Sequence, residues 1–189
     1  MSTAEATDLQ DEIEATVLPE PTFEERMARN DALVRKHALA AAGVGLIPLP
    51  AIDFIALTGL QANLLRKLSA AYDIPFSEEL GKKLVGSLVS GYAPVALAMP
   101  VASLLKSVPL IGQTAGVLAM SIVAGASTYA IGKVFVQHFE SGGTFLNFDP
   151  AAVREYFREQ FREGREYVST QKNAKPKADA AKASGAAED

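Results

Sequence analysis

Residues 84–105 read LVGSLVSGYAPVALAMPVASLL, and residues 107–132 read SVPLIGQTAGVLAMSIVAGASTYAIG. Only Lys106 separates these uncharged runs of 22 and 26 residues. Each exceeds the ~18 consecutive apolar residues that suffice for a membrane-crossing helix. Neither leaves a polar face for water, so both must be buried, in lipid or in protein. Lys106-Ser107-Val108-Pro109 between them is short enough to turn a helical hairpin, and the expectation is an Ala/Gly-rich hairpin over 84–132. The runs are poor in strongly apolar side chains and carry Pro94 and Pro100, so alone they are marginal spans. A pair of helices enclosed in a large water-soluble bundle is the competing reading.

The flanking sequence reads as helices too. Thr22 followed by Glu25 gives a capping box, starting a helix that runs to about Gly43. Pro48 and Pro50 interrupt the chain. Pro50 then suits the first position of a second helix, with Asp53 in its first turn, running to about Tyr72. A turn at 73–75 precedes a third helix opened by Ser77, Glu78 and Glu79. After Gly142-Gly143, Asp149-Pro150 starts a helix over 150–168. Its pattern Arg-Glu-x-Phe repeats, so that Val153, Phe157, Phe161 and Val168 share one face. Residues 1–21 are acidic and polar and residues 169–189 are of low complexity, and both are expected to be disordered. The expected architecture is all-α: a membrane-associated helical bundle over 22–168 with a central hairpin and disordered termini.

Charge and composition narrow the function. The 189 residues carry a formal net charge of −4, but residues 1–25 hold eight acids and no Lys or Arg. Between Arg26 and Gln171 there are 14 Lys/Arg against 11 Asp/Glu, so the helical part is +3. No basic stripe interleaved with aromatics appears, which argues against nucleic acid as a partner. Without cysteine there is no disulfide framework, thiolate metal site or thiol nucleophile. The two histidines, His37 and His138, each flank an apolar segment and match no metal or catalytic spacing. Gly125 to Lys133 has six residues between its glycines and Val134 where a phosphate loop needs Ser or Thr. No catalytic, cofactor or metal residue is expected, and the protein reads as non-enzymatic.

Small residues recur at four-residue spacing: Gly86/Ser90, Ser87/Gly91, Gly112/Gly116 and Ala124/Thr128/Gly132. That spacing lets helix backbones approach closely, within the chain or between copies. Asp53 and Gln61 are the polar candidates inside an otherwise apolar stretch, as pore elements or as polar anchors between helices. Phe157, Phe161, Arg158 and Arg162 are the candidates for a docking helix, onto the membrane surface, onto a protein partner or sister subunit, or back onto the chain's own first helix; its acidic content favours a protein partner over anionic lipid.

One family likeness joins several of these signals. Ile47-Pro48-x-Pro50-x-x-Asp53, Gln61, Leu68 and Tyr72, Lys106-x-x-Pro109-x-x-Gly112, Thr128-Tyr129-Ala130-x-Gly132-Lys133 and Phe139-Glu140-Ser141-Gly142 resemble the bacterial domain of unknown function 697 over about residues 32–143. That domain is similar to the C-terminal part of YcjF-type inner-membrane proteins and follows a small GTPase domain in other chains. The resemblance implies a bacterial inner-membrane module without an established activity, and supplies no catalytic residues. Any GTPase here would be a separate protein partner.

The expected function is therefore a membrane module that self-associates or recruits a partner, with lipid and further copies of itself as partners. Lys82, Lys83 and Lys133 place both ends of the hairpin on the cytoplasmic side. A pore or transport element using the Pro-broken helices and Asp53, and a soluble structural or lipid-binding bundle, are the alternatives.

Overall fold

The computed structural model describes the backbone of residues 21–46, 50–90 and 111–185, and the side chains of 21–46, 55–90 and 118–172. Among the described residues there are five helices and no strand: α1 (Phe23–Val44), α2 (Pro50–Ala71), α3 (Glu78–Ser90), α4 (Ile111–Glu140) and α5 (Arg154–Gly185).

Local chemistry sets the ends. The Thr22 hydroxyl accepts from the Glu25 amide and the Glu25 carboxylate accepts from the Thr22 amide, closing the capping box. Asp73 adopts a left-handed φ of 53° after α2, and the Ile74 amide folds back onto the Ser69 carbonyl at 2.8 Å. The Ser77 hydroxyl caps α3 by accepting from the Leu80 amide. Gly142, with φ 77°, ends α4, and the Gly143 amide reaches the His138 carbonyl at 2.9 Å.

The last helix departs from its expected start at Pro150. Asp149 Oδ1 accepts from the Ala151 amide at 2.8 Å, which turns the chain, and regular helix begins only at Arg154. The helix then continues past Val168, to Gly185.

Helix α4 is the axis of the bundle. Along α1 the contacts pair Gly45 with Ser121, Ala38 and Ala42 with Gly125, Val34 with Gly132, and Arg26 with Glu140, so α1 and α4 are antiparallel over their length. Gln61 meets Thr128 and Tyr72 meets Glu140, so α2 runs parallel to α4. Helix α5 returns antiparallel, with Gly164 against Ala126 and Tyr129, and Lys172 against Ser121.

The core joins Val34, Leu64, Leu65 and Leu68 to Tyr129, Ile131, Val134 and Phe135, and closes with Phe157 and Phe161 from α5. At the C-terminal end of α4 the aromatic rings stack: Phe135 lies on Phe148 at 4.5 Å, and Phe145 meets Phe139 at 5.2 Å. These rings hold the loop after α4 against the bundle.

The described residues contain one helix long and apolar enough to cross a membrane, Leu118–Glu140 within α4, with mean hydropathy 1.4. Of its most apolar window, 72% is buried inside the bundle. From Ser121 onward, the second uncharged run is therefore largely enclosed by α1, α2 and α5. The remainder of the expected hairpin, residues 91–110 with Pro94 and Pro100, lies outside the described residues.

Candidate functional site

Polar groups concentrate at the end of the bundle where α1 begins and α4 ends. Arg26 grips Glu140 with two hydrogen bonds, Nε to Oε1 at 2.9 Å and Nη2 to Oε2 at 3.1 Å. The Tyr72 hydroxyl donates to the same Oε1 at 2.9 Å and accepts from Asn30 Nδ2 at 2.9 Å. Burial, reinforced by the neighbouring Glu140 carboxylate, pushes the Tyr72 phenol up to about 12.

One turn further along, Asp31 bridges Arg35 and Lys133, each at 2.6 Å. Burial works against its charge, but the hydrogen bonds from Lys133 and Arg35 outweigh that and hold the carboxyl below the usual carboxylate range. The Arg35 guanidinium lies 4.9 Å over the Tyr167 ring, and the Tyr129 hydroxyl donates to Glu163 at 2.6 Å. A surface cavity of about 240 Å³ opens beside these groups, lined by Arg35, Tyr129, Glu163, Tyr167 and Gln171. It is smaller than a typical small-molecule site. These charges compensate one another across three helices, which is what a structural clamp requires. Among the described residues no three His, Asp or Glu side chains stand close enough together to hold a metal ion.

The candidates read from the sequence divide sharply. Gln61 and Thr128, 67 residues apart, come together: Gln61 Nε2 donates to Thr128 Oγ1 at 3.2 Å, and Thr128 Oγ1 donates to the Ala124 carbonyl at 3.0 Å. Gly132 lies against α1, where a Cβ would fall 2.6 Å from Val34 Cγ2. These small and polar residues pack helices of the same chain. Gly86 and Ser90 instead face outward, with nothing within 4 Å of a Cβ at Gly86. Gly112 and Gly116 fall in the first turns of α4, and Asp53 in the first turn of α2, but their surroundings lie outside the described residues, as does Gly91 altogether.

Phe157 and Phe161 are buried in the core of this chain, their rings 6.4 Å apart. Their helix packs chiefly on α4 rather than on the first helix, and in this fold the two rings present no outward docking surface. Arg158 pairs with Glu155 at 3.1 Å, and Arg162 is exposed. His37 is buried, its Nδ1 donating to the Leu33 carbonyl at 2.9 Å, while burial and the nearby Lys67 and Lys36 push its pKa down. His138 Nε2 donates to the Thr144 carbonyl at 2.9 Å, fastening the loop after α4.

The sequence reading missed two further close helix contacts. A Cβ at Gly125 would lie 2.9 Å from both the Ala38 carbonyl and Val168, and one at Gly164 would lie 2.9 Å from Tyr129 Cβ. The single Gly in the Arg-Glu-x-Phe repeat was the available signal for the second.

Comparison with known families bears on the whole bundle. The family described as Domain of unknown function (DUF697) matches residues 5–166. The chain belongs to the DUF697 family. The match takes in all of α1 to α4 and reaches into α5, beyond the 32–143 of the motif likeness. This DUF697 chain is also 36% identical over 148 residues to magnetosome membrane protein 22 of Magnetospirillum gryphiswaldense, covering 78% of this chain and 75% of the relative. No solved structure matches it.

Proposed function

We propose that the chain is a membrane-associated, non-enzymatic helical module that acts by self-association or by recruiting a partner protein at the bacterial inner membrane. The observation that carries this reading is the pair of uncharged runs, 84–105 and 107–132, in a chain whose relative is a membrane protein. The compensated clamp of Arg26, Glu140, Asp31 and Lys133 supports a scaffold rather than a reaction centre.

The lipid-facing part of the hairpin is assigned to the portion before Ser121, because α4 is enclosed by protein beyond it. Lys82, Lys83 and Lys133 favour the cytoplasm for both ends. Gly112 and Gly116 are proposed as the contact between copies.

Membrane fractionation with a carbonate wash tests the first part: the protein is expected in the pellet, and complete release into the supernatant overturns integral attachment. Self-association is tested with Gly112→Leu and Gly116→Leu, which are expected to reduce the assembled size in detergent. Unchanged size and melting in both variants would remove that element of the reading.

A further inference from the structure

The repeat that shapes α5 has two halves. Its aromatic half, Tyr156, Phe157, Phe161 and Tyr167, turns inward onto the core. Its charged half is Arg154-Glu155, Arg158-Glu159, Arg162-Glu163 and Arg165-Glu166, and it turns outward: Arg158 is half-buried and the other seven are exposed. At ~100° per residue the four arginines fall within an arc of about 80° and the four glutamates within the next such arc. Two stripes of opposite sign therefore run side by side along the outer face of α5.

This is not the layout that stabilises a solitary helix in water, where opposite charges belong four residues apart. Here Arg154–Arg158, Arg158–Arg162, Glu155–Glu159 and Glu159–Glu163 put like charges at that spacing. Arg162 and Glu166 are of opposite sign, but in the less favourable order. Within the face the arginines and glutamates form one ion pair, Arg158 to Glu155 at 3.1 Å. Glu163 accepts from the Tyr129 hydroxyl. Arg154, Glu159, Arg162, Arg165 and Glu166 make no ion pair among the described residues.

The order of the signs says what fits the face. Four arginines and four glutamates cancel, so neither an anionic headgroup layer nor a uniformly basic partner matches it. A surface that shows the same two stripes in reverse order does. Two copies of the face related by a two-fold axis along the helix lay the arginine stripe of each on the glutamate stripe of the other. Each Glu follows its Arg by one residue, ~1.5 Å along the axis, so the pairs fall level without sliding. Turned end for end, the same two faces set arginine on arginine and glutamate on glutamate. Copies held in one bilayer share one orientation, and an axis along the helices preserves it.

Resting on the self-association reading above, we propose that the Arg154–Glu166 face of α5 pairs with the same face of a second copy, the two helices side by side and parallel. It adds a second contact to the one at Gly112 and Gly116. The contact is polar and covers only about 18 Å of helix, and exposed ion pairs are individually weak. It selects the orientation and register of the copies more than it holds them together.

The chain contains no cysteine, so one introduced thiol reports a single position. Ser169 lies one turn beyond Arg165 on the same face. It meets its counterpart in the parallel arrangement and stands at the far end of the contact in the antiparallel one. The test oxidises the full chain with Ser169→Cys in phosphatidylethanolamine/phosphatidylglycerol vesicles. The expected result is a disulfide dimer at ~50 mM salt whose yield falls about 5-fold at ~500 mM. Arg158→Glu with Arg162→Glu, and separately Glu155→Arg with Glu159→Arg, each checked for wild-type helicity, are expected to lose the dimer. Mixing the two variants restores it as a heterodimer, because the reversed stripes oppose again. Dimer at the parent level in either variant alone, or no recovery on mixing, overturns the proposal. Should a variant fail to fold, the parent decides: a yield indifferent to salt overturns it. Loss of vesicle flotation in the reversed variants, with the disulfide kept, assigns the face to lipid and also overturns it. An assembled size in detergent without the disulfide leaves the contact at Gly112 and Gly116 standing and removes this one; monomer size throughout removes self-association itself.

Discussion

Single residues in this fold differ most in what lies beyond their Cα. At Gly132 a Cβ would collide with Val34, at 2.6 Å, whereas at Gly86 it would meet nothing within 4 Å. Gly132→Ala is therefore expected to destabilise by about 1–3 kcal/mol through overpacking. Gly86→Ala is expected to stabilise by roughly 0.5–1 kcal/mol, because it removes backbone freedom from an exposed helix position. Denaturant titration of helicity in mild detergent measures both, and equal effects at the two positions would contradict the packing described. His37 makes a pH prediction. Its folded-state pKa is depressed by burial, so the unfolded chain takes up a proton first as pH falls. Stability is complete above the unfolded value of ~6.5 and declines as pH drops below it. His37→Gln should flatten the melting temperature between pH 7 and 5 relative to the natural chain, and an unchanged slope would exclude His37 as its source.

At the scale of elements, the helix ends were legible because they rest on neighbours in sequence. Thr22 with Glu25, Pro50, Ser77 and Gly142 each act within a few residues, and α1, α2 and α3 begin where those residues place them. Asp149 misled for the same reason: it suits a helix cap and an Asx turn equally, and the turn prevailed. What each helix packs against was not legible. The hydrogen bond between Gln61 and Thr128 spans 67 residues, and no local pattern announces it. Uncharged residues say that a segment must be buried, but not whether lipid or protein buries it, which is why the part of 107–132 beyond Ser121 proved to be largely core. Helix α5 carries the sharpest test. Phe161 is 2% exposed, so Phe161→Ala is expected to cost about 3–5 kcal/mol. Phe157→Asp with Phe161→Asp should abolish the cooperative melt, because two charges in that core have no partner. Retention of the melt with loss of assembly alone would return the helix to a docking role.

For the whole molecule, α4 is the element on which every other described helix rests, and α5 seals its last face. A chain ended at residue 152 should leave Tyr129, Gly125 and their neighbours uncovered and fail to accumulate in a protease-resistant form; full resistance would show that α1 to α4 suffice. The Arg26–Glu140 clamp has a consequence in time. Its two residues are 114 apart, so at the ~5–20 residues per second of synthesis Arg26 waits roughly 6–23 s after its own addition for Glu140. Within that interval both apolar runs are synthesised, and α5, which covers α4 in the folded chain, is made only afterwards. On the membrane reading proposed above, the division of each run between lipid and protein is then open to a race during translation, before the two compartments compete at equilibrium.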